Sequence, residues 1–245
     1  MLVNQLARDG QVLFRYRGVL PLLLILPLGW CVRDFRYLNG SVTVEQSWRW
    51  FCLLVSMIGL LIRCSTIGFV PRGTSGRNTR SQVAAELNCT GWYSVTRNPL
   101  YLGNFLMGSG FVLASHDPAA LLIFTLSFWL YYERIIAAEE AFLSEKFGDR
   151  FRAWAAQTPV FIPAFSGWRR PDLPFSWRSV LRREYCGVLL VGTVFFLSSL
   201  GDHLLVEQAW VIDWSLGILF VLSLLIFAGL RILKKRTRLL EVDGR

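Results

Sequence analysis

The sequence is poor in charge and in the residues that build common metal sites and disulfide frameworks. Of its 245 residues, 18% are charged and 53% are hydrophobic, whereas soluble domains carry about 25% charged residues. It has two histidines, and its five cysteines include no C-x-x-C pair, so neither a disulfide scaffold nor a metal site is predicted. Disorder is excluded, because disordered chains are poor in apolar residues and rich in charge. These absences leave a protein that crosses a membrane several times.

Nucleotide-binding loops of soluble enzymes are also missing. No G-x-G-x-x-G follows a strand-like run, and the Gly-Thr-Ser-Gly at 73–76 lacks the Gly-Lys-Ser/Thr of a P-loop. A soluble Rossmann-type domain is therefore not predicted. The net charge of +9 would suggest nucleic-acid binding in a soluble protein, but basic residues of membrane proteins collect in cytoplasmic loops.

Six apolar runs predict an all-α, polytopic helical membrane bundle of about six helices. The runs are 19–32, 50–62, 100–114, 119–132, 185–200 and 209–230. Only the last is long enough to cross a bilayer alone, since a crossing takes about 20 residues. We expect the others to borrow flanking residues, or to form tilted, short or partly crossing helices.

The positions of Lys and Arg predict the topology. The basic segments are 63–99 with five, 133–184 with nine and the tail from 231 with six; the turns 115–118 and 201–208 have none. Six spans with both termini in the cytoplasm place the basic segments inside and the two turns without Lys or Arg outside, with only 33–49 mixed. Orientation thus explains the positive charge, and we expect no nucleic-acid partner.

A short turn at 115–118 joins two of the apolar runs into a helical hairpin. The segments that flank its open ends are Arg97-Asn98-Pro99 and 133–154. Arg97-Asn98-Pro99 suits a helix start with an asparagine cap. That segment predicts a cytoplasmic amphipathic helix, broken at Gly148, with Glu140 on its apolar stripe. A carboxylate there must be paired or bind a ligand, so a structural ion pair and a cofactor site both remain open.

The two flanks of this hairpin together resemble one enzyme family. The segments are Thr90-Gly91-Trp92-Tyr93, Arg97-Asn98-Pro99-Leu100-Tyr101-Leu102-Gly103, Glu139-Glu140-Ala141-Phe142-Leu143, Phe147-Gly148 and Phe161-Ile162-Pro163. In this order and spacing they are similar to the isoprenylcysteine carboxyl methyltransferase and phospholipid methyltransferase family of integral membrane enzymes. The resemblance covers residues 87–163.

The resemblance implies S-adenosylmethionine as methyl donor, bound at the cytoplasmic face. The positions that match cofactor-binding residues of the family are Tyr93, Asn98, Pro99, Leu100, Tyr101, Glu139 and Glu140. Arg134 matches an arginine that orients an anionic acceptor, so Arg134 and Glu140 are the candidate catalytic residues. Two departures stand out: Asn98 replaces a histidine, and Phe151 and Trp154 replace tyrosines.

The expected function is transfer of a methyl group to a lipid or lipidated acceptor from the bilayer. An already ionised carboxylate or phosphate oxygen needs no deprotonation near neutral pH, and arginines are plentiful near the site. Methylation of a phospholipid amine is the alternative within the class, and it would need a base. A non-enzymatic scaffold or transporter that retains the bundle is the alternative outside it. We interpret 1–245 as one membrane domain, with a motif core at 87–163 and an additional C-terminal helix pair at 185–233.

Overall fold

The computed structural model describes residues 2–16, 35–71 and 84–242. These residues form seven α-helices and no strand, so the all-α prediction is confirmed. The helices are α1 (Leu2–Arg15), α2 (Val42–Phe69), α3 (Pro99–Leu113), α4 (Pro118–Phe147), α5 (Asp149–Gln157), α6 (Trp177–Glu207) and α7 (Trp214–Arg236). The predicted run at 19–32 lies outside the described residues.

Four helices, α2, α4, α6 and α7, are long and apolar enough to cross a membrane. The fifth apolar helix, α3, has 15 residues and a length of about 22 Å, short of the roughly 30 Å of a hydrocarbon core. The described part of the chain thus has fewer full-length spans than the six predicted, while the helical membrane bundle itself is confirmed.

The predicted amphipathic helix at 133–154 is not a separate element. Its first part is the end of α4, which continues unbroken from the membrane-spanning region to Phe147. No glycine or proline interrupts 119–147, so nothing ends the helix earlier. The predicted break at Gly148 is confirmed: its φ of +55° is a backbone conformation that favours glycine, and α5 begins at the next residue.

Small residues allow α2 and α3 to pack closely. A Cβ built on Gly59 would lie 2.5 Å from the carbonyl oxygen of Gly103, so the two backbones are nearly in contact. The hydroxyl of Ser56 donates to the carbonyl of Met107 at 2.9 Å. Such small residues are typical of helix contacts in membranes, where packing and interhelical hydrogen bonds replace the hydrophobic effect.

The remaining helices complete the bundle around this pair. The core between α2, α3, α6 and α7 includes Cys52, Met107, Val191, Phe195 and Leu216. A second apolar cluster joins the hairpin of α3 and α4. Helix α1 lies against α4, where Gly10 meets the backbone of Arg134. Because α3 and α4 form a hairpin, the segment before α3 and the segment after α4 lie at the same end of the bundle.

Candidate functional site

The polar segment before α3 is bound by backbone hydrogen bonds to the segment after α5. The backbone N–H of Arg97 donates to the carbonyl of Pro159 at 2.8 Å. The hydroxyl of Thr96, which is fully buried, donates to the carbonyl of Phe161 at 3.0 Å. These bonds hold 95–98 in one conformation, directly at the start of α3.

The two halves of the sequence motif meet at this point. The hydroxyl of Tyr101, in the first turn of α3, donates to Oε1 of Glu139 in α4 at 2.9 Å. The guanidinium of Arg97 lies 3.0 Å from Oε1 of Glu140. We call the end of the bundle where these four residues meet the motif end. The carboxylates of Glu139 and Glu140 therefore contact the segment that carries the other half of the motif.

The Arg97–Glu140 contact leaves polar atoms without partners. Nε of Arg97 and Oε1 of Glu140 are buried and make no hydrogen bond, although the two side chains are in ionic contact. Buried polar atoms are normally hydrogen-bonded, and an exception calls for an explanation. An amino acid portion of a ligand fits this pair, since a guanidinium binds a carboxylate and a carboxylate binds an ammonium group.

Tyr93 lies in a single 3₁₀ turn, Gly91–Ser94, beside this pair of segments. Its backbone carbonyl accepts a hydrogen bond of 3.0 Å from the indole of Trp154. Burial, together with the negative charge of Glu139, raises the pKa of Tyr93, while Arg183 and Arg63 lower it. The net effect is upward, so the phenol remains a neutral hydrogen-bond donor throughout the physiological range.

The sequence predicts where α3 begins, but not the hydrogen bond that the side chain of Asn98 makes. Pro99 occupies the first turn of α3 and is fully buried. Asn98 stands at the cap position, yet its side chain makes no capping hydrogen bond. It donates instead to the carbonyl of Val160 at 3.0 Å. The carbonyl of Leu100 accepts a 3.5 Å hydrogen bond from Arg63. The amide of Asn98 thus fixes the loop rather than the helix.

Arg134 is not brought to Glu140. Its guanidinium donates to the carbonyl of Leu130, one turn earlier in α4, at 2.6 Å. Six residues separate Arg134 from Glu140, a rise of about 9 Å along the helix. The arginine in contact with Glu140 is Arg97. The role of Arg134 with an acceptor stays a prediction.

Sequence reasoning missed a second polar group at this end of the bundle. Arg63 of α2 binds both carboxylate oxygens of Glu184 in α6, at 2.8 and 2.7 Å. It also donates to Oδ1 of Asn104 at 2.6 Å, and Nδ2 of Asn104 donates to the hydroxyl of Tyr132 at 3.2 Å. Arg63 directly follows one apolar run and Glu184 directly precedes another. Both fall within the segments 63–99 and 133–184 that the Lys and Arg counts place in the cytoplasm, although an ionisable residue at the edge of a span is itself a signal.

The opposite end of the bundle carries another buried cluster, which we call the far end. Its residues are Tyr37, Glu45, Arg49, His116, Ser199, Asp202 and His203. Four of them line a cavity of about 370 Å³ beside the start of α7, namely Tyr37, Glu45, Arg49 and His203. Both histidines lie here, away from the motif end. Among the described residues, no group of three or more His, Cys, Asp or Glu side chains is arranged to hold a metal ion.

Comparisons with known proteins point to the same family as the motifs. Residues 48–150 match the model of the family described as phospholipid methyltransferase. The protein-S-isoprenylcysteine O-methyltransferase of Saccharomyces cerevisiae is 35% identical over 133 residues, which are 53% of this chain and 54% of that protein. These matches confirm the predicted resemblance to the isoprenylcysteine carboxyl methyltransferase and phospholipid methyltransferase family. The phospholipid methyltransferase match ends just after the start of α5, before α6 and α7.

Two further relatives define the extent of the similarity. The protein-S-isoprenylcysteine O-methyltransferase of Schizosaccharomyces pombe is 26% identical over 125 residues, or 45% of this chain and 53% of that protein. The nickel-cobalt-cadmium resistance protein NccN of Alcaligenes xylosoxydans xylosoxydans is 33% identical over 139 residues, or 54% and 62%. The match covers less than two thirds of the length of each of these relatives. No solved structure matches the chain significantly.

Proposed function

We propose that the protein is an S-adenosylmethionine-dependent methyltransferase that acts on a lipid or lipidated acceptor dissolved in the bilayer. The family match supports the reaction class, and two relatives bear the name of O-methyltransferases of isoprenylcysteine. The observation that carries the proposal is the meeting of both motif halves, through Arg97 with Glu140 and Tyr101 with Glu139.

The residues at the motif end fit the cofactor in charge and hydrogen bonding. S-adenosylmethionine supplies a methyl group already activated on a positive sulfur. Arg97 would bind its carboxylate, and Glu140 its ammonium group, because a guanidinium pairs with a carboxylate and a carboxylate with an ammonium group. Glu139, oriented by Tyr101, would accept a hydrogen bond from a hydroxyl. The task of these side chains is to orient the reacting groups and exclude water.

The amide of Asn98 bears on the choice of acceptor. Asparagine cannot take up a proton, and the side chain is committed to the carbonyl of Val160. A carboxylate or phosphate oxygen is already ionised near neutral pH, so its methylation requires no base. An ammonium group would first have to lose a proton. An oxygen acceptor therefore remains our preferred reading, with amine methylation as the alternative.

The acceptor would reach the site from the membrane. The segment that leads from α5 to α6 exposes large aromatic side chains, with Phe165 63%, Trp168 47% and Trp177 70% exposed. Such residues are enriched at the level of lipid headgroups. By the positive-inside rule, the basic last turn of α7 and this motif end face the cytoplasm. We infer that a soluble cofactor enters from that side while the lipid chain stays in the bilayer.

The first experiment measures methyl transfer directly. Purified protein in detergent is incubated with radiolabelled S-adenosylmethionine and either a membrane lipid extract or an S-isoprenylated cysteine derivative. We expect label in the organic phase, and alkaline hydrolysis should release it as methanol if it is a carboxyl ester. Label that resists alkali would support phosphate or amine methylation, and mass spectrometry of the intact product would separate these two. No transfer to any acceptor would contradict the proposal.

Binding of the cofactor product separates the enzyme from a scaffold. Titration calorimetry with S-adenosylhomocysteine should show binding that disappears in Glu140→Ala. A scaffold that retains only the bundle would show no binding in the wild type.

A further inference from the structure

The most highly connected buried charge pair near the motif end links α2 to α6. Arg63 and Glu184 form two parallel hydrogen bonds of 2.8 and 2.7 Å, with side chains 16% and 3% exposed. Two-point pairing of this kind fixes the orientation of a guanidinium as well as its position. Glu184 belongs to the C-terminal part of the chain, outside the 48–150 region that matches the family.

From Arg63 the contacts continue to the cofactor-binding candidates. Nη1 of Arg63, which does not contact Glu184, donates to Oδ1 of Asn104, and Nδ2 of Asn104 donates to the hydroxyl of Tyr132. The ring of Tyr132 packs against that of Tyr101, with their centres 4.5 Å apart. Tyr101 in turn donates to Glu139. The chain of contacts therefore runs from α6 through α2 and α3 to the carboxylate in α4.

Each step of this chain restricts a side chain that would otherwise rotate. Glu184 binds one edge of the Arg63 guanidinium while Nη1 of Arg63 donates to Asn104, and Asn104 donates to the Tyr132 hydroxyl. Tyr132 limits the rotation of the neighbouring ring. Supporting contacts of this type determine whether a site is held within the tolerance that binding and chemistry require.

We propose that Glu184 is a positioning residue: through Arg63, Asn104 and Tyr132 it holds Tyr101 against Glu139 at the cofactor site. This inference rests on the proposed function. It gives the C-terminal helix pair a role, because α6 supplies the carboxylate that orders a site built from the family-matching region. Glu184 itself touches neither cofactor nor acceptor in this scheme.

The far end provides a matched control in the same two helices. Arg49 of α2 binds Asp202 of α6 at 2.7 Å, with side chains 4% and 9% exposed. The two arginines are 14 residues apart, about 21 Å along α2. Breaking the Arg63–Glu184 pair leaves a buried charge unpaired, and breaking the Arg49–Asp202 pair removes one of the two carboxylates that contact Arg49. Both changes should destabilise the bundle. Only the Glu184 pair should also affect the cofactor site.

The test compares Glu184→Gln with Asp202→Asn in the full chain, purified in detergent. We expect both substitutions to lower the thermal midpoint. Only Glu184→Gln should weaken S-adenosylhomocysteine binding, by about tenfold, because a misplaced binding group loses affinity and rate without being removed. Equal losses of affinity in the two variants, or wild-type affinity in Glu184→Gln, would overturn the proposal.

A second readout does not depend on the cofactor. A double-mutant cycle between Glu184→Gln and Tyr101→Phe, measured on unfolding, should give a non-zero coupling, while the cycle with Asp202→Asn should be additive. If the wild type binds no S-adenosylhomocysteine, the proposed function fails, and this cycle still decides whether the connection exists. Additivity in the first cycle would refute it.

Tyr132→Phe tests the same connection if Glu184→Gln cannot be purified in a folded state. This substitution removes the hydroxyl that accepts from Asn104 and keeps the ring. We expect weaker S-adenosylhomocysteine binding with a near wild-type thermal midpoint. Unchanged affinity in Tyr132→Phe would contradict the proposed chain of contacts.

Discussion

Arginine–carboxylate pairs lie at both ends of the bundle, but the partly buried Arg97–Glu140 pair of the motif end is satisfied differently from the buried pairs of the far end. At the far end, Glu45 accepts hydrogen bonds from Arg49, His116 and the backbone N–H of Leu38. Arg49 in addition binds Ser199 and Asp202, and only its Nε lacks a partner among the described contacts. At the motif end, Arg97 and Glu140 touch without forming a hydrogen bond between them.

We interpret this difference as a separation between groups that hold the bundle together and groups that we propose bind a ligand. A buried charge network whose members bond one another is costly to break, because removal of one member leaves the others unpaired. A contact pair with unused donors and acceptors keeps its hydrogen-bonding capacity for another molecule. If this interpretation holds, substitutions at the far end should mainly lower the stability of the bundle, and substitutions at the motif end should mainly weaken ligand binding.

The largest effect on stability is expected at the far end. Glu45→Ala removes the acceptor of three donors and should cost about 3–5 kcal/mol, the range for breaking a buried ion pair. Thermal unfolding in detergent measures this loss. Asp149→Ala is the control, because that side chain is 97% exposed and its removal should leave stability unchanged. A Glu45→Ala protein as stable as the wild type would show that the far end does not hold the bundle together.

The largest effect on binding is expected at the motif end. Glu140→Ala should weaken S-adenosylhomocysteine binding at least about 100-fold, since it removes a charged partner of the ligand, with little change in the thermal midpoint. Calorimetry checks this, with Glu145→Ala as control because Glu145 is exposed on the same helix. If Glu145→Ala and Glu140→Ala bound the ligand equally well, the site would have to lie elsewhere.

A smaller effect is expected from the phenol that orients Glu139. Tyr101→Phe removes a 2.9 Å hydrogen bond to the carboxylate and keeps the ring. The expected loss of S-adenosylhomocysteine affinity is about tenfold, equivalent to about 1.4 kcal/mol. Tyr131→Phe is the matched control, because its hydroxyl donates to the carbonyl of Leu13 in α1. A loss of the same size in both variants would argue against a specific role for Tyr101.

The smallest effect concerns the start of α7, where Asp213 caps the helix. Its carboxylate accepts from the backbone N–H of Ser215 and Leu216. Burial alone would raise the pKa of Asp213, but the hydrogen bonds from Ser215, Leu216 and Gln46 outweigh it and lower the pKa below the ordinary 3.8. The Asp213→Ala variant should lose about 1 kcal/mol, as for other helix caps.

The sign of the pH dependence follows from the direction of this pKa shift. The stabilisation by Asp213 should be full above the unfolded-state pKa and fade as the pH falls below it, through the lowered folded-state pKa. Thermal midpoints of wild type and Asp213→Ala should therefore differ at pH 6 and converge under strongly acidic conditions. A difference that grows with acidity would contradict this assignment.

Local sequence patterns were sufficient to predict the helix ends at Pro99 and Gly148 and the two halves of the motif. Pro99 at a helix start and Gly148 at a helix end are dictated by ring geometry and by a positive φ, and both were predicted. Helical periodicity places Glu145 away from the apolar stripe that carries Glu140, and its side chain is exposed. The segment 133–154 is helical with a break at Gly148, as predicted, but its first part continues the membrane-spanning helix α4. A change in polarity along a chain does not end a helix when no breaking residue is present.

Contacts between distant residues were not predictable in the same way. The partner of Glu140 is Arg97 rather than Arg134, and this choice depends on how the hairpin places α3 beside α4. The pairing of Arg63 with Glu184 joins residues 121 positions apart. No periodicity in either helix specifies that partner.

The amino-acid sequence determined that the chain forms a bundle of apolar helices, because the hydrophobic runs can be buried only in lipid or against one another. It also determined the order and spacing of the family motif. Only the tertiary structure decided which charged side chains bond one another and which touch without a hydrogen bond. The reason is that side-chain pairing depends on the distance and rotation between packed helices, which arise from the contacts of the whole bundle.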